Sequence, residues 1–126
     1  MMTLAIGIGC RRGTSADAIE NAVRAALGPL SFSDIALIAS VEAKKNEAGL
    51  LAFCVRHRLT LQFFSAEEIA QTSSSFSPYA REHMNVDGVC EPCALLTSRG
   101  GPLIVSKTIV GGVTVAIART PSKKTA

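Results

Sequence analysis

Short apolar runs alternate along this chain with stretches whose apolar residues recur every third or fourth position, and the two periods mark strands and helices in turn. Leu4, Ala5, Ile6 and Ile8 lie in the first run, so Thr3 to Ile8 is predicted as a strand. From Ala16 to Leu27 the apolar residues fall at 19, 22, 23, 26 and 27, one face of a helix that ends at Gly28-Pro29. Ile35 to Ala39 is an unbroken apolar run, the pattern of a strand covered on both faces. Glu42 to Arg56 then reads as a second helix with Leu50, Leu51 and Cys54 on its buried side, and Leu59 to Phe63 as a third strand. Ser65-Ala-Glu-Glu68 is a capping box that opens a short third helix. Residues 72 to 81, rich in serine, are expected to form a long irregular segment able to act as a flap. A final helix is predicted from about Glu91 to Ser98, with Pro92 in its first turn and Gly100-Gly101 at its end. Pro102 to Val110 and Val113 to Ala118 flank Gly111-Gly112 and read as a hairpin, while 120–126 is a polar tail expected to fray.

Three strands alternating with helices and then a hairpin imply one α/β domain over residues 1–126, a three-layer α/β/α arrangement with a mixed sheet. A domain of this length buries enough surface to fold without a disulfide or metal staple. In such sheets ligands bind beyond the carboxyl ends of the strands, where the strand order reverses.

Charge and composition narrow the partners. A net charge of +3 is too small to argue for nucleic acid, and with no Trp and one Tyr there is little for bases to stack on. The apolar runs are strand-sized, so no membrane association is expected. Arg11-Arg12 precedes an amphipathic helix rather than the apolar core of a twin-arginine export signal, and a cytoplasmic location is expected, with the four cysteines reduced.

The chemistry concentrates where the first strand meets the first helix, at Gly7-Ile-Gly-Cys10-Arg11-Arg12-Gly13-Thr14-Ser15. Thr14 is the expected N-cap, with Asp17 completing a capping box. Backbone N–H groups, a positive helix end and two arginines converge there, which suits an anion. The segment fits neither standard phosphate loop. The third glycine of the dinucleotide fingerprint would fall one place earlier than Gly13, and the Walker loop needs a longer interval between glycines and a lysine after the second. Ser40 ends the second strand at the same edge and is expected to cap the second helix, placing Lys44, Lys45 and Glu47 beside the arginines.

These residues resemble the CobE proteins and the C-terminal domain of CbiG, of cobalamin (vitamin B12) biosynthesis. The likeness rests on Gly7 to Ser15, on Ala39-Ser40 followed by Lys44, Glu47, Gly49 and Leu50, on Gly88-Val-Cys-Glu91-Pro-Cys-Ala94, and on Lys107 with Thr114 to Arg119. It implies a precorrin-type corrin-ring intermediate as ligand or substrate, with no further cofactor and with other enzymes of the pathway as partners. CbiG-type enzymes are understood to hydrolyse the lactone of a cobalt-precorrin with release of acetaldehyde. The present length leaves no room for their N-terminal region, so a CobE-like binding or handover role is the expectation, with lactone hydrolysis as the alternative. Corrin precursors carry several carboxylates. The expected ligand-binding set is Cys10, Arg11, Arg12, Gly13, Thr14, Ser40, Lys44 and Lys107, and any general base is expected at Glu47 or Glu91.

Cys90-Glu-Pro-Cys93 offers a rival, since a Cys-x-x-Cys at a helix start is the spacing of a thiol redox pair. No metal site is expected, because one such pair with Cys10 and Cys54 elsewhere lacks paired ligand spacing. His57 and His83 are expected to be structural or at the surface. A third reading is a docking module that meets another pathway enzyme through Ser73 to Tyr79.

Overall fold

The computed structural model of the chain describes residues 3–73, 90–99 and 101–120. In chain order the elements are β1 (Leu4–Gly9), α1 (Ala16–Leu27), β2 (Ile35–Val41), α2 (Ala48–His57), β3 (Thr60–Phe64), α3 (Ala66–Ser73), α4 (Cys90–Ser98), β4 (Leu103–Val110) and β5 (Val113–Arg119). Single 3-10 turns cover Phe32–Asp34 and Glu42–Lys44. The sheet runs β3-β2-β1-β5-β4. β1 pairs parallel with β2 and antiparallel with β5, β2 pairs parallel with β3, and β4 pairs antiparallel with β5. The mixed sheet and the hairpin expected from the sequence are both present. The proposed flap (apart from its first residues, which belong to α3), His83 and the tail beyond Thr120 lie outside the described residues.

Strand alternation divides the side chains by size. Leu4, Ile6 and Ile8 of β1 and Val113, Val115 and Ile117 of β5 pack with Ile19, Val23 and Leu27 of α1 and Leu50 and Phe53 of α2. The intervening positions carry small residues: Ala116 and Ala118 of β5 meet Cys90 and Ala94 of α4, and Ala39 of β2 meets Cys93 of α4 and Ile69 of α3. One face therefore takes two helices on bulky residues, and the other takes a helix pressed close to the strands. Gly7 marks the closest point, where a Cβ would lie 1.9 Å from the Cys90 carbonyl oxygen and 2.6 Å from the Ala94 nitrogen.

Four local expectations are corrected. Ser15, not Thr14, caps α1, accepting from the Ala18 N–H at 3.1 Å. Thr14 instead turns its hydroxyl back onto the Arg11 carbonyl at 2.6 Å, and Asp17 pairs with Arg56 rather than closing a capping box. The predicted helix from Glu42 to Arg56 is split: its first five positions but one are polar, nothing there pins a helix to the core, and the chain makes a 3-10 turn before α2 starts at Ala48. Ser40 lies inside β2 and caps no helix. Within α2 the helical period from Leu50 buries Phe53 and Cys54 and leaves Leu51 38% exposed, so Leu51 is not a core residue. The capping box at Ser65 and Glu68 forms as read, with reciprocal bonds of 3.1 and 2.9 Å.

A charged clamp joins α1 to α2. Glu20 contacts Arg24 at 2.8 Å, Arg56 at 3.0 Å and His57 at 2.9 Å, and the His57 ring lies 4.6 Å from Phe32 and 5.2 Å from Phe53. The expectation of a structural histidine holds for His57. Hydrogen bonds from His57 and then Arg24 hold the Glu20 carboxyl down from its ordinary 4.5 to about 2. A carboxyl depressed in the folded state contributes stability that is present above pH 4.5 and is lost as the pH falls toward 2. Glu20→Gln should flatten the acid limb of a urea-stability profile in that window, and an unchanged slope would remove the clamp from the acid response. Gly7→Ala should cost about 3 kcal/mol in the same assay, because the added carbon meets backbone that cannot yield. A cost near zero would refute the close approach.

Candidate functional site

β1 ends at the place where the strand order reverses, and its last carbonyls are held from both sides. Ser40 on β2 donates its buried hydroxyl to the Ile8 carbonyl at 2.7 Å. Thr114 on β5 donates to the Gly9 carbonyl at 3.3 Å. These bonds fix the strand end from which the arginine turn departs. Thr114 was not among the binding residues expected from the sequence. Its signals in the sequence were its place in the family resemblance and its polarity between Val113 and Val115 in an apolar strand, and the structure buries it fully.

Beyond Gly9 the chain passes through buried Cys10 to exposed Arg11, Arg12 and Gly13. Gly13 sits at φ +82°, a conformation that favours glycine. The turn is tied to the start of α2 in two ways. Glu47 accepts the Gly13 N–H at 3.0 Å. Gly49 lets the α2 backbone come so close that a Cβ there would lie 1.9 Å from the Thr14 carbonyl oxygen. Lys44 and Glu47 both act electrostatically on Cys10, the lysine lowering its pKa and the glutamate raising it, while burial dominates and pushes the thiol up. Cys10, Arg11, Arg12, Gly13, Thr14, Lys44 and Glu47 are therefore one neighbourhood.

A second group reaches the same edge from the other face. The first turn of α4 carries Cys90 and Glu91, and Glu91 accepts the Lys107 N–H of β4 at 2.8 Å. The Cys90 thiol bonds Thr114 and feels the charges of Glu91 and Lys107. Thr114 joins the two groups, since it also bonds Gly9. The Gly111-Gly112 turn lies beside them, because Thr114 is in register with Gly9. Among the described residues, Arg11, Arg12, Lys44 and Lys107 take no part in an ion pair of theirs. Lys45, expected beside them, is exposed at the end of the 3-10 turn.

Burial and the helix dipole oppose one another at the Cys-x-x-Cys, and burial prevails. Both cysteines are enclosed, Cys90 is pushed from 9.0 to about 11, and burial together with neighbouring Cys90 raises Cys93 as well. Burial thus works against the lowered thiol pKa that a redox pair uses. Among the described residues no three His, Cys, Asp or Glu side chains gather as a metal would need, and no helix is long and apolar enough to cross a membrane.

Fold and site define a single α/β domain with a mixed sheet, and arginine and lysine side chains cluster near the edge where its strand order reverses. The family model described as Cobalamin synthesis G C-terminus matches residues 4–118. The chain belongs to this family, and its place is in cobalamin biosynthesis. It is 35% identical over 121 residues to a cobalt-precorrin-5A hydrolase of Priestia megaterium, a match covering 94% of this chain and 32% of that protein. Protein CobE of a Sinorhizobium species is 28% identical, with 91% and 79% covered. The chain thus spans about a third of the length of that hydrolase and most of CobE. A crystal structure of CobE superposes with a TM-score of 0.81 at 25% identity, covering 98% of this chain and 94% of that one. The cobalamin biosynthesis protein chiG of Agrobacterium tumefaciens superposes at 0.72 with 34% identity, covering 95% and 100%. The family resemblance and fold class read from the sequence are thereby established.

With Cys90 at about 11, its thiolate population at neutral pH is about a hundredfold below that of a free thiol. Iodoacetamide at pH 7 should label Cys90 and Cys93 only after urea unfolding. Rapid labelling of the native protein, or reversible loss of two thiols on mild oxidation, would restore the redox reading.

Proposed function

We propose that this chain binds a precorrin-type intermediate of corrin-ring synthesis by its acetate and propionate side arms, and holds it for handover or processing by a further enzyme of the pathway. The observation that carries the reading is that Arg11, Arg12, Lys44 and Lys107, without ion-pair partners among the described residues, lie on segments that Glu47, Glu91 and Thr114 tie to one edge of the sheet at the end of β1. Such an edge suits several carboxylates presented on one rigid ring. Arginine grips a carboxylate in bidentate fashion, and lysine serves as a point charge. The cobalamin-pathway names of the relatives and neighbours support the same ligand class.

Lactone hydrolysis is the second reading, favoured by the identity to proteins named cobalt-precorrin-5A hydrolase. It requires a carboxylate to take a proton from water and a cation or N–H pair to stabilise the oxyanion. The carboxylates at this edge are Glu47 and Glu91. Each already accepts a backbone N–H, which favours binding over bond breaking.

An absorbance titration with corrin precursors from before and after ring contraction distinguishes the readings. A spectral shift without turnover is expected. Conversion with acetaldehyde release would make the chain a hydrolase. Arg11→Ala and Arg12→Ala should each weaken binding by about tenfold, the loss of one charge-assisted contact. Unchanged affinity in both would overturn the anion-binding edge.

A further inference from the structure

Glu47 and Glu91 come from helices on opposite faces of the sheet, yet they do the same thing. Each stands at the start of its helix, Glu47 as the residue before α2 and Glu91 as the second residue of α4. Each directs one carboxylate oxygen to a backbone N–H outside regular pairing: Oε1 of Glu47 to Gly13 at 3.0 Å, and Oε2 of Glu91 to Lys107 at 2.8 Å. Gly13 lies in a turn. Lys107 lies where the β4–β5 register shifts between Val105 and Thr108, and it has no register partner in β5. Both amides belong to cation-bearing segments, Gly13 directly after Arg11-Arg12 and Lys107 itself.

We propose that Glu47 and Glu91 are paired positioning residues, each anchoring the backbone of a cationic segment so that Arg11-Arg12 and Lys107 are held toward a polycarboxylate from either side of the β1 end. The proposal rests on the anion-binding reading and deepens it by assigning the acidic residues of a cationic site. A carboxylate placed among cations to act as a base must keep its charge and its proton affinity. A carboxylate that anchors a backbone amide needs only an acceptor oxygen. Anchoring in the free protein moves the cost of ordering these segments from binding to folding, so the ligand meets cations whose backbone is already fixed. The glutamine amide supplies the same acceptor oxygen without charge or basicity, whereas alanine supplies nothing. Glutamine also removes a negative charge that would repel the carboxylates of the ligand.

Four variants separate these roles: Glu47→Gln, Glu47→Ala, Glu91→Gln and Glu91→Ala. The ligand-free readout is amide hydrogen exchange at Gly13 and Lys107. The binding readout is an absorbance titration with uroporphyrin I, a tetrapyrrole bearing acetate and propionate arms, and with cobyrinic acid. Each alanine variant should speed exchange at its own amide partner by about tenfold and weaken binding of the tetrapyrroles by a similar factor. Each glutamine variant should stay within about twofold of the parent in exchange and bind as tightly or more tightly. Glutamine variants as impaired as alanine in binding, or alanine variants with unchanged exchange, would overturn the proposal. If the parent binds neither tetrapyrrole, the polycarboxylate reading falls and the role assigned to the anchors falls with it, while the exchange rates still report whether the backbone ties exist.

Discussion

The approach of α4 to the sheet is the constraint on which the rest of the molecule depends. Small residues on one face of β1, β2 and β5 let that helix settle against the strands, and Gly7 removes the one side chain that would hold it off. Because the helix sits so low, its first turn meets the β1 end, where Cys90 bonds Thr114 and Glu91 reaches β4. A larger residue at position 7 would lift the whole second group of site residues away from the first. The bulky opposite face performs a different task, burying enough apolar surface against α1 and α2 to make the close side affordable.

Gly49 repeats the device on that opposite face, between α2 and the turn before α1. Two backbone contacts, one per face, bring two helix starts to a single strand end. The hydroxyls of Ser40 and Thr114 then donate to the last two carbonyls of β1, one from each neighbouring strand. Cations are left at the rim and apolar thiols beneath it. That division explains why the cysteines, despite their redox-like spacing, are packing residues here.

Most of the fold was legible in the chain. Residues 16 to 27 carry a clean helical period and emerge as α1 with those bounds, and Gly111-Gly112 announces the hairpin because both residues need positive φ. The split of the second helix was harder to see: charged residues at Glu42, Lys44 and Glu47 look helical by propensity, and only the absence of an apolar face betrays them. The N-cap shifted by one residue because Thr14 and Ser15 are both competent caps, and tertiary contact with α2 decided between them. The alternation of strands and helices sufficed to expect Lys44 beside Arg11 and Arg12, whereas Lys107 joined that set only through the family resemblance. The engagements of Glu47 and Glu91 could not be read, because a side chain bonded to a distant backbone N–H leaves no local pattern. Size alternation in Leu4-Ala-Ile-Gly-Ile-Gly9 and again in Val113 to Ala118 was a signal for the close helix, since each strand shows one large and one small face.

The broken register of β4 has an effect well away from any ligand. This strand lies at the sheet margin, with Ile104 38% and Ile109 58% exposed, which is the composition that invites another chain to add itself as a further strand. Its pairing with β5 is interrupted twice, so only Thr108 to Val110 keep a continuous register. The irregularity that frees the Lys107 N–H for Glu91 thus denies an incoming strand a straight row of amides to zip against, and protects the protein from edge-to-edge aggregation.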